Sequence, residues 1–251
     1  MPKLKPKPRH KQAHEAVNTP PSQNPELMRR MYSLLVKLRA EQRGLEATFV
    51  GSLMGLLAED TLTIAHARAV LGIVFLRKTA PELLDLAPLD SRSPELTAAA
   101  HIAVATGYAL ERALHHRPGL VLAFAGEADS LADARATLTF AATHKLPLIV
   151  VVQHNLAKLQ SGSPSDLSHE ILGLGLAAMT VDGSDAMAVY RVAQEAMFRA
   201  RHDAGPTLIE CKTYPKGKVP PRLQPWVQGD ALAYMEEQLR ARGFWQDKLK
   251  A

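Results

Sequence analysis

The sequence predicts an α/β fold in which a mainly parallel sheet carries helices on both faces. From residue 96 onward, short aliphatic runs alternate with longer segments of helical period. Strands that alternate with helices are typical of right-handed βαβ units, which build parallel sheets. The aliphatic runs contain few polar residues, and this pattern indicates strands that are buried on both faces of the sheet.

Four aliphatic runs are predicted to be strands: GLVLAFA (residues 119–125), LPLIVVV (146–152), AAMTVDG (177–183) and GPTLIECKT (205–213). The helical segments that precede or join them are LTAAAHIAVATGYALERALHH (96–116), SLADARATLTFAATH (130–144), DLSHEILGLGL (166–176) and DAMAVYRVAQEAMFRARHD (185–203). Asp182 and Asp185 lie between the third strand and its helix, where we expect a turn and an N-cap.

The remaining segments give mixed signals. A helix is predicted to begin at Pro25, because Asn24 suits the N-cap and proline suits the first helical position. Gly44 is expected to end it. The segment TLTIAHARAVLGIVFLRK (61–78) fits either a strand or a helix, since short apolar runs do not discriminate between them. Residues 86–95 are predicted to form a polar loop, and residues 230–251 an amphipathic helix broken near Gly243.

Length and composition predict one domain behind a basic arm. The chain has 251 residues and a formal net charge of +5, and its first twelve residues, MPKLKPKPRHKQ, contain no acidic side chain. We expect residues 1–24 to form a flexible, Pro-rich arm and residues 25–251 to form a single α/β domain. No uninterrupted apolar run approaches the ~20 residues of a membrane span.

The cysteine and histidine residues point away from several kinds of site. Cys211 is the only cysteine, which excludes a disulfide framework and a cysteine-rich zinc site within one chain. It lies in a predicted strand, so a buried thiol is expected, and a cytoplasmic location is the default. His101 is expected to be packed in the fold, and His115 and His116 to be solvated at a helix end.

Polar residues follow two of the predicted strands. Gly126 and Glu127 end one strand, and Asn155 ends the next. Ligands of open α/β sheets bind at the carboxyl ends of strands. Carboxylate and amide oxygens suit Mg²⁺, a glycine allows a phosphate to approach the backbone, and a helix starting near Ser130 would point its N-terminus there. On spacing alone, Glu127 and Asn155 could equally be ordinary turn residues.

The same stretch resembles a known cofactor motif. Gly126-Glu127-Ala128 and His154-Asn155 are similar to the GDG and NN of the thiamine-diphosphate motif, with Leu-Pro and an apolar strand before the second part. Further stretches resemble segments of one family: Gly44-Leu45-Glu46-Ala47 with Gly51, Ala105-Thr106-Gly107 with Ala109, Val181-Asp182-Gly183-Ser184-Asp185 followed by Ala196 and Arg199-Ala200-Arg201, and Gly205-Pro206-Thr207-Leu208-Ile209-Glu210 followed by Lys212-Thr213-Tyr214. That family is the alpha subunit of the 2-oxo acid dehydrogenase component, as in pyruvate, branched-chain and acetoin dehydrogenases.

The resemblance implies a three-layer thiamine-diphosphate-binding fold and an oxidoreductase that decarboxylates a 2-oxo acid and passes the acyl group to lipoamide. It implies thiamine diphosphate and Mg²⁺ as cofactors. The positions that match the family's cofactor-binding residues are Arg68, Gly126, Glu127, Ala128 and Asn155, and those that match its metal ligands are Glu127, Asn155 and the backbone carbonyl of Ala157.

Several positions depart from the family pattern. Glu127 is one methylene longer than the family's aspartate, and Mg²⁺ tolerates little displacement from octahedral geometry. Ala128 replaces the second glycine, and His154 replaces the first asparagine. A catalytic histidine expected after Tyr214 is missing, because Pro-Lys-Gly-Lys stands there, and a glycine-rich loop is absent. No residue is therefore assigned a catalytic role, and an impaired site is expected.

Three functions compete. The first is an alpha-type subunit that binds thiamine diphosphate and Mg²⁺ with weakened affinity, together with a beta-type partner. It would form a homodimer or a heterotetramer, and it could join a lipoyl acyltransferase complex. The second is a non-catalytic structural or regulatory homologue that assembles with a beta-type subunit. The third, a nucleic-acid binder, ranks last because the folded region has no stripe of basic and aromatic residues.

Overall fold

The structure is a computed structural model. It describes residues 21–39, 46–57, 59–64, 89–90, 97–127, 131–156, 167–213 and 230–250. Predictions that concern residues 1–20, Gly44 and residues 65–78 lie outside the described residues.

A parallel sheet forms the centre of the molecule. In the described part of the chain it has six strands: β1 (Thr61–Ile64), β2 (Leu89–Asp90), β3 (Val121–Glu127), β4 (Leu148–Asn155), β5 (Ala177–Asp182) and β6 (Thr207–Thr213). Their order is β2-β1-β3-β4-β6-β5, and every pair is parallel. β4 is therefore an interior strand that pairs with β3 on one side and β6 on the other.

Helices cover both faces of the sheet. They are α1 (Pro25–Arg39), α2 (Glu46–Leu53), α3 (Ala98–Leu114), α4 (Arg135–Thr143), α5 (Leu167–Glu170), α6 (Ala186–Arg201) and α7 (Ala231–Ala241), with short 3-10 helices at Pro21–Gln23, Ala132–Ala134 and Asp247–Lys250. Among the described helices, none combines the length and hydrophobicity that a bilayer span requires.

Two hydrophobic cores follow from the alternation of side chains along buried strands. Ile149 and Val151 of β4 join the core beneath α1, α2, α6 and α7, whereas Leu148 and Val150 join the core beneath α3, α4 and α5. The predicted α/β class, with a parallel sheet between two helical layers, is confirmed.

The helices begin where the sequence places caps. The Asn24 side chain accepts a hydrogen bond from the Leu27 amide at 3.0 Å. Asp185 accepts from the amides of Met187 and Ala188 at 2.9 and 3.0 Å and starts α6. Both predicted N-caps are confirmed, because each satisfies amides that a helix leaves unpaired in its first turn.

Several element boundaries differ from the sequence-based expectation: the helix predicted over residues 166–176 spans only Leu167–Glu170, and two segments predicted to be irregular form regular elements. Residues 21–24, assigned to the flexible arm, form the 3-10 helix Pro21–Gln23 and the cap of α1. Leu89 and Asp90, assigned to a polar loop, pair with Leu62 and Thr63 as an edge strand. Neither segment has the hydrophobic periodicity that marks a helix or strand in sequence.

The C-terminal segment packs on α1. Trp245 meets Tyr32 edge to face, with ring centroids 5.3 Å apart, and the Arg240 guanidinium lies 4.2 Å from the Trp245 ring. Arg39 at the end of α1 forms a two-point ion pair with Asp230, which caps α7. Trp245 is therefore an anchor of this segment, and α7 ends before Gly243, whose φ is +68°.

A close contact between α2 and α6 depends on Gly51. A Cβ atom on Gly51 would lie 2.6 Å from the Cβ of Val189 and 2.7 Å from the carbonyl oxygen of Ala186. Both are parts of α6 that cannot rotate away. The glycine therefore sets how closely α2 approaches α6.

We expect Gly51→Ala to lower the free energy of unfolding by about 1–3 kcal/mol, because the added methyl overpacks this contact. The control is Gly107→Ala in α3, where an added Cβ meets no described atom within 4 Å. The control should stabilise the chain by about 0.5–1 kcal/mol, since glycine disfavours a helix interior. Urea denaturation of both variants tests this, and equal effects would contradict the contact.

Candidate active site at the carboxyl ends of β3 and β4

The two candidate strand ends are neighbours. Glu127 of β3 is in register with Gln153 of β4, and Asn155 lies two positions further along the same strand. Both strands are parallel, so their carboxyl ends meet at one edge of the sheet. The backbone geometry therefore brings the GDG-like and NN-like segments together, as expected from one βαβ unit.

β3 carries an irregularity just before its end. Phe124 is in register with Val151 and Gly126 with Val152, so Ala125 is left out of the ladder. Gly126 has φ +76°, in the left-handed region where a residue with a Cβ is strained by about 1–2 kcal/mol. The bulge and the glycine together decide which residue of β3 stands in register with Gln153.

The structure describes only part of the predicted cofactor site. It places the backbones of Gly126 and Glu127 and the half-buried Asn155 at this edge. Arg68, Ala128 and Ala157 lie outside the described residues, and their binding roles stay predictions. Among the described residues, no three His, Cys, Asp or Glu side chains converge as they would around a metal.

Two hydrogen bonds join β4 to β6, one just before Asn155 and one just after it. The Gln153 side-chain amide donates to the Thr213 hydroxyl at 3.0 Å, and both side chains are buried. The Leu156 amide donates to the Thr213 carbonyl at 3.0 Å. Thr213 thus holds the chain on both sides of Asn155.

The opposite face of the sheet contains a buried ionisable pair between β4 and β6. His154 Nδ1 lies 2.7 Å from Glu210 Oε1, and the two side chains are 1% and 0% exposed. The second carboxylate oxygen accepts from the Ser168 amide at 3.3 Å and from the Thr180 hydroxyl at 3.0 Å. Because a hydroxyl has one hydrogen, Thr180 accepts in turn from the Ser168 hydroxyl, 3.0 Å away.

These donors set the pKa of Glu210. Burial alone would raise the pKa of this carboxyl. Hydrogen bonds from His154, the Ser168 amide and Thr180, with the positive charge of Lys212, favour the ionised form more strongly and hold the pKa below its ordinary value. In the sequence, His154 stands out only as a departure from the motif. Its pairing with Glu210 has no sequence signal, because β4 and β6 are separated along the chain by β5 and α6.

The turn after β5 packs against α2 at this edge of the sheet. The Asp182 carboxylate accepts from the Ser184 amide at 2.8 Å, and the Thr48 hydroxyl donates to the Gly183 carbonyl at 3.0 Å. A Cβ on Gly183 would lie 2.8 Å from Thr213 Cγ2. The glycine is thus required by close packing, and the predicted turn is confirmed.

The helix after β3 begins later than Ser130, with Ala132–Ala134 as a 3-10 turn before α4. The amide of Leu131, one of the donors at this start, is bonded to the Glu170 carboxylate of α5 at 3.0 Å. Arg135 donates to the Glu170 carbonyl. α5 therefore contacts both the start of α4 and, through Ser168, the Glu210 carboxylate.

The remaining histidines and the cysteine lie where the sequence predicts them. His101 is buried, with Nε2 3.2 Å from the Thr63 hydroxyl, whereas His115 and His116 are exposed at the end of α3. Cys211 is fully buried in β6, and burial raises the pKa of its thiol to about 12. A protonated, inaccessible thiol is a poor nucleophile.

Comparison with known proteins decides the family. Residues 92–218, just over half of the 251-residue chain, match the family described as Dehydrogenase E1 component. The chain belongs to this family. The matched part of this E1-family chain includes β3 to β6 and the whole candidate edge, and the resemblance found in the sequence is confirmed.

Two relatives of the E1-family chain illustrate the match. It is 30% identical over 164 residues to 3-methyl-2-oxobutanoate dehydrogenase subunit alpha of Mycobacterium tuberculosis, covering 58% of this chain and 44% of the relative. It is 28% identical over 177 residues to pyruvate dehydrogenase E1 component subunit alpha of Staphylococcus aureus, covering 63% and 48%. The chain thus spans about half the length of the curated relatives it matches.

A solved structure from Mycobacterium smegmatis, described as a thiamin diphosphate-dependent enzyme, is also similar. Its TM-score is 0.49 at 19% identity, over 67% of this chain and 32% of that one.

The pKa of Glu210 predicts how acid affects stability. Because the folded pKa lies below the ordinary value, the unfolded chain binds a proton that native Glu210 does not. The stabilisation is present above the unfolded pKa of ~4.3 and is lost as pH falls through the folded pKa. We expect unfolding free energy to fall more steeply in the wild type than in Glu210→Gln, by up to ~1.4 kcal/mol per pH unit.

Urea titrations from about pH 6 to about pH 3 measure the two slopes. Glu195→Gln, at an exposed position on α6, is the control and should keep the wild-type slope. Equal slopes for wild type and Glu210→Gln would contradict the role assigned to the donors around Glu210.

Proposed function

We propose that this chain is an alpha-type subunit of a 2-oxo acid dehydrogenase that binds thiamine diphosphate and Mg²⁺ at the carboxyl edge of β3 and β4, with an impaired site. The observation that carries the proposal is the register that brings Glu127 within two positions of Asn155 in a member of the E1 family. The names of the relatives, which are alpha subunits of 2-oxo acid dehydrogenases, support the same reaction class.

The oxygen ligands at this edge suit a Mg²⁺ ion that is bound to a diphosphate. Glu127 and Asn155, with the Ala157 carbonyl, offer the oxygen ligands that Mg²⁺ prefers. Gly126, with its left-handed backbone, and Ala128 would face the diphosphate, and Arg68 would pair with its charge. When bound, thiamine diphosphate supplies the carbon nucleophile and electron sink for decarboxylation. The protein's part is to hold its diphosphate and cation in place.

Three departures support impairment of this site. The longer Glu127 must fold back to reach a position that suits aspartate, and Ala128 brings a methyl group where the family has glycine. The histidine expected after Tyr214 is replaced within Pro-Lys-Gly-Lys. A general acid or base is typically worth 10²–10⁴-fold in rate, so its loss lowers turnover even where cofactor binds.

A beta-type subunit is the proposed partner. In the family, the alpha chain holds the diphosphate and the beta chain activates the aminopyrimidine, so one chain alone carries half of the site. We propose a homodimer or a heterotetramer with the beta-type chain, and association with a lipoyl acyltransferase as the acyl acceptor. A cytoplasmic location stays part of this proposal.

The second candidate is a non-catalytic homologue that assembles with the same beta-type partner. It is favoured by the position of the departures. They fall on cofactor-facing positions, whereas the scaffold contacts around Thr213 and Gly183 are complete. Such a protein keeps the fold and the assembly surface and loses the chemistry.

We expect weak, Mg²⁺-dependent binding of thiamine diphosphate that strengthens with a beta-type E1 subunit. A Glu127→Asp, Ala128→Gly double variant should bind at least about tenfold more tightly, because both changes restore the geometry that the cation and diphosphate need. Asn155→Ala should remove the Mg²⁺ dependence. Calorimetry of the full chain, alone and with the partner, measures these affinities. The matched control is Glu195→Asp, at an exposed position on α6.

Tight binding by the unaltered, isolated chain would contradict the impaired site. No gain in the double variant would place the loss in the missing histidine and loop. No binding under any condition would reject the cofactor role.

Decarboxylation separates the two candidates. We expect the complex with the double variant to release carbon dioxide from pyruvate or 3-methyl-2-oxobutanoate at a rate about 10²–10⁴-fold below that of an E1 enzyme that retains the histidine. Tight cofactor binding without any carbon dioxide release would instead support the non-catalytic homologue.

A further inference from the structure

We propose that His154 is a positioning residue: its Glu210-anchored imidazole fixes the carboxyl end of β4 and thereby holds Asn155 where its amide reaches the cation of the proposed cofactor. This inference rests on the proposed cation role of Asn155. It concerns a residue that differs from the motif and that the ligand set does not include.

The anchor of His154 reaches three other elements. Glu210 is on β6, and its carboxylate also accepts hydrogen bonds from Ser168 of α5 and Thr180 of β5. A side chain on β6 that is also held by donors from two further elements, α5 and β5, cannot follow a moving end of β4. Glu210 is therefore the fixed partner in the 2.7 Å contact, and His154 is the residue that the contact holds in place.

Asn155 lies between two fixed neighbours. Its preceding residue is held by the Glu210 contact, and its following residue, Leu156, donates its amide to the Thr213 carbonyl. Gln153 is tied to Thr213 on the opposite side of the strand. A strand end normally frays, because pairing stops there. The end of β4 is instead restrained by side-chain contacts on both faces of the sheet.

The substitution of the family's asparagine by histidine fits this role. The Nδ1 atom of histidine and the amide nitrogen of asparagine stand at the same distance along their side chains, two bonds beyond Cβ. An asparagine at this position would offer its N–H to the same carboxylate. His154 therefore keeps the donor to Glu210 while changing the rest of the side chain.

Only one of the two ring nitrogens of His154 has a partner among the described residues. His154 Nε2 is buried and has no hydrogen-bond partner among the described residues. A buried, unpaired polar atom is unfavourable, whereas an apolar side chain of similar size would leave the buried Glu210 carboxylate without its Nδ1 donor. The contribution of the imidazole at this position therefore comes from the contact of Nδ1 with Glu210.

Three variants separate positioning from packing. His154→Asn keeps the donor, His154→Phe keeps the bulk and removes the donor, and Glu210→Gln keeps an acceptor without the charge. His115→Phe, at an exposed position on the end of α3, is the control. Backbone hydrogen exchange of the full chain is measured at 154–156 and, for comparison, at 149–151.

We expect His154→Phe to speed exchange at 154–156 by at least about tenfold without changing 149–151, and His154→Asn and His115→Phe to stay near wild type. Glu210→Gln should fall between them. Unchanged exchange in His154→Phe, or equally fast exchange along all of β4, would overturn the positioning role. This measurement needs no cofactor.

Calorimetry with Mg²⁺ and thiamine diphosphate, in the presence of a beta-type subunit, tests the link to Asn155. We expect His154→Phe to weaken binding at least about tenfold and His154→Asn to restore it to within about threefold of wild type. Wild-type affinity in His154→Phe would overturn the link. If the wild type itself binds nothing, the proposed function fails and with it the cation link, while exchange still decides whether His154 holds the strand end.

Discussion

The pairing of β4 between β3 and β6 is the constraint on which the rest of the structure depends. β4 is buried on both faces, so its apolar residues bind the two helical layers to one sheet. Its carboxyl end is where this apolar pattern stops and polar side chains begin. Those side chains are still largely shielded from water, and buried polar groups need partners within the protein. The neighbouring strands provide them, so strand order determines which polar residues meet.

Two separate sets of contacts meet this need on the two faces of the sheet. Gln153 and Leu156 bond to Thr213, beside the turn where Thr48 joins α2 to Gly183. On the opposite face, the carboxylate of Glu210 gathers donors from β4, β5 and α5. α5 then reaches the start of the helix after β3 through Glu170. The edge is thus braced by both helical layers, and a single substitution there acts on more than one element.

The sequence was sufficient for four of the strands, the positions of the helices between them and two helix caps, because these follow from local patterns. Hydrophobic period located β3 to β6 and the helices between them, and Asn24 and Asp185 marked helix starts. It was insufficient for the pairing of β4 with β6, since β5 and α6 intervene along the chain. The His154–Glu210 pair was hidden for that reason. The bulge at Ala125 was hidden as well, because an alanine in an aliphatic run carries no signal of its own.

The positions of the departures explain how this fold can persist with an altered site. His154 is bonded to the buried Glu210, and the described contacts of Thr213 are with Gln153 and Leu156. Residues proposed to touch the cofactor are therefore separate from those that hold the strand ends together. Changes among the former leave the buried polar contacts intact, and unfolding free energy is set mainly by the latter. An intact edge is accordingly expected of both an impaired enzyme and a non-catalytic subunit, because each keeps the contacts that hold the strand ends and is altered only at the positions that face the cofactor.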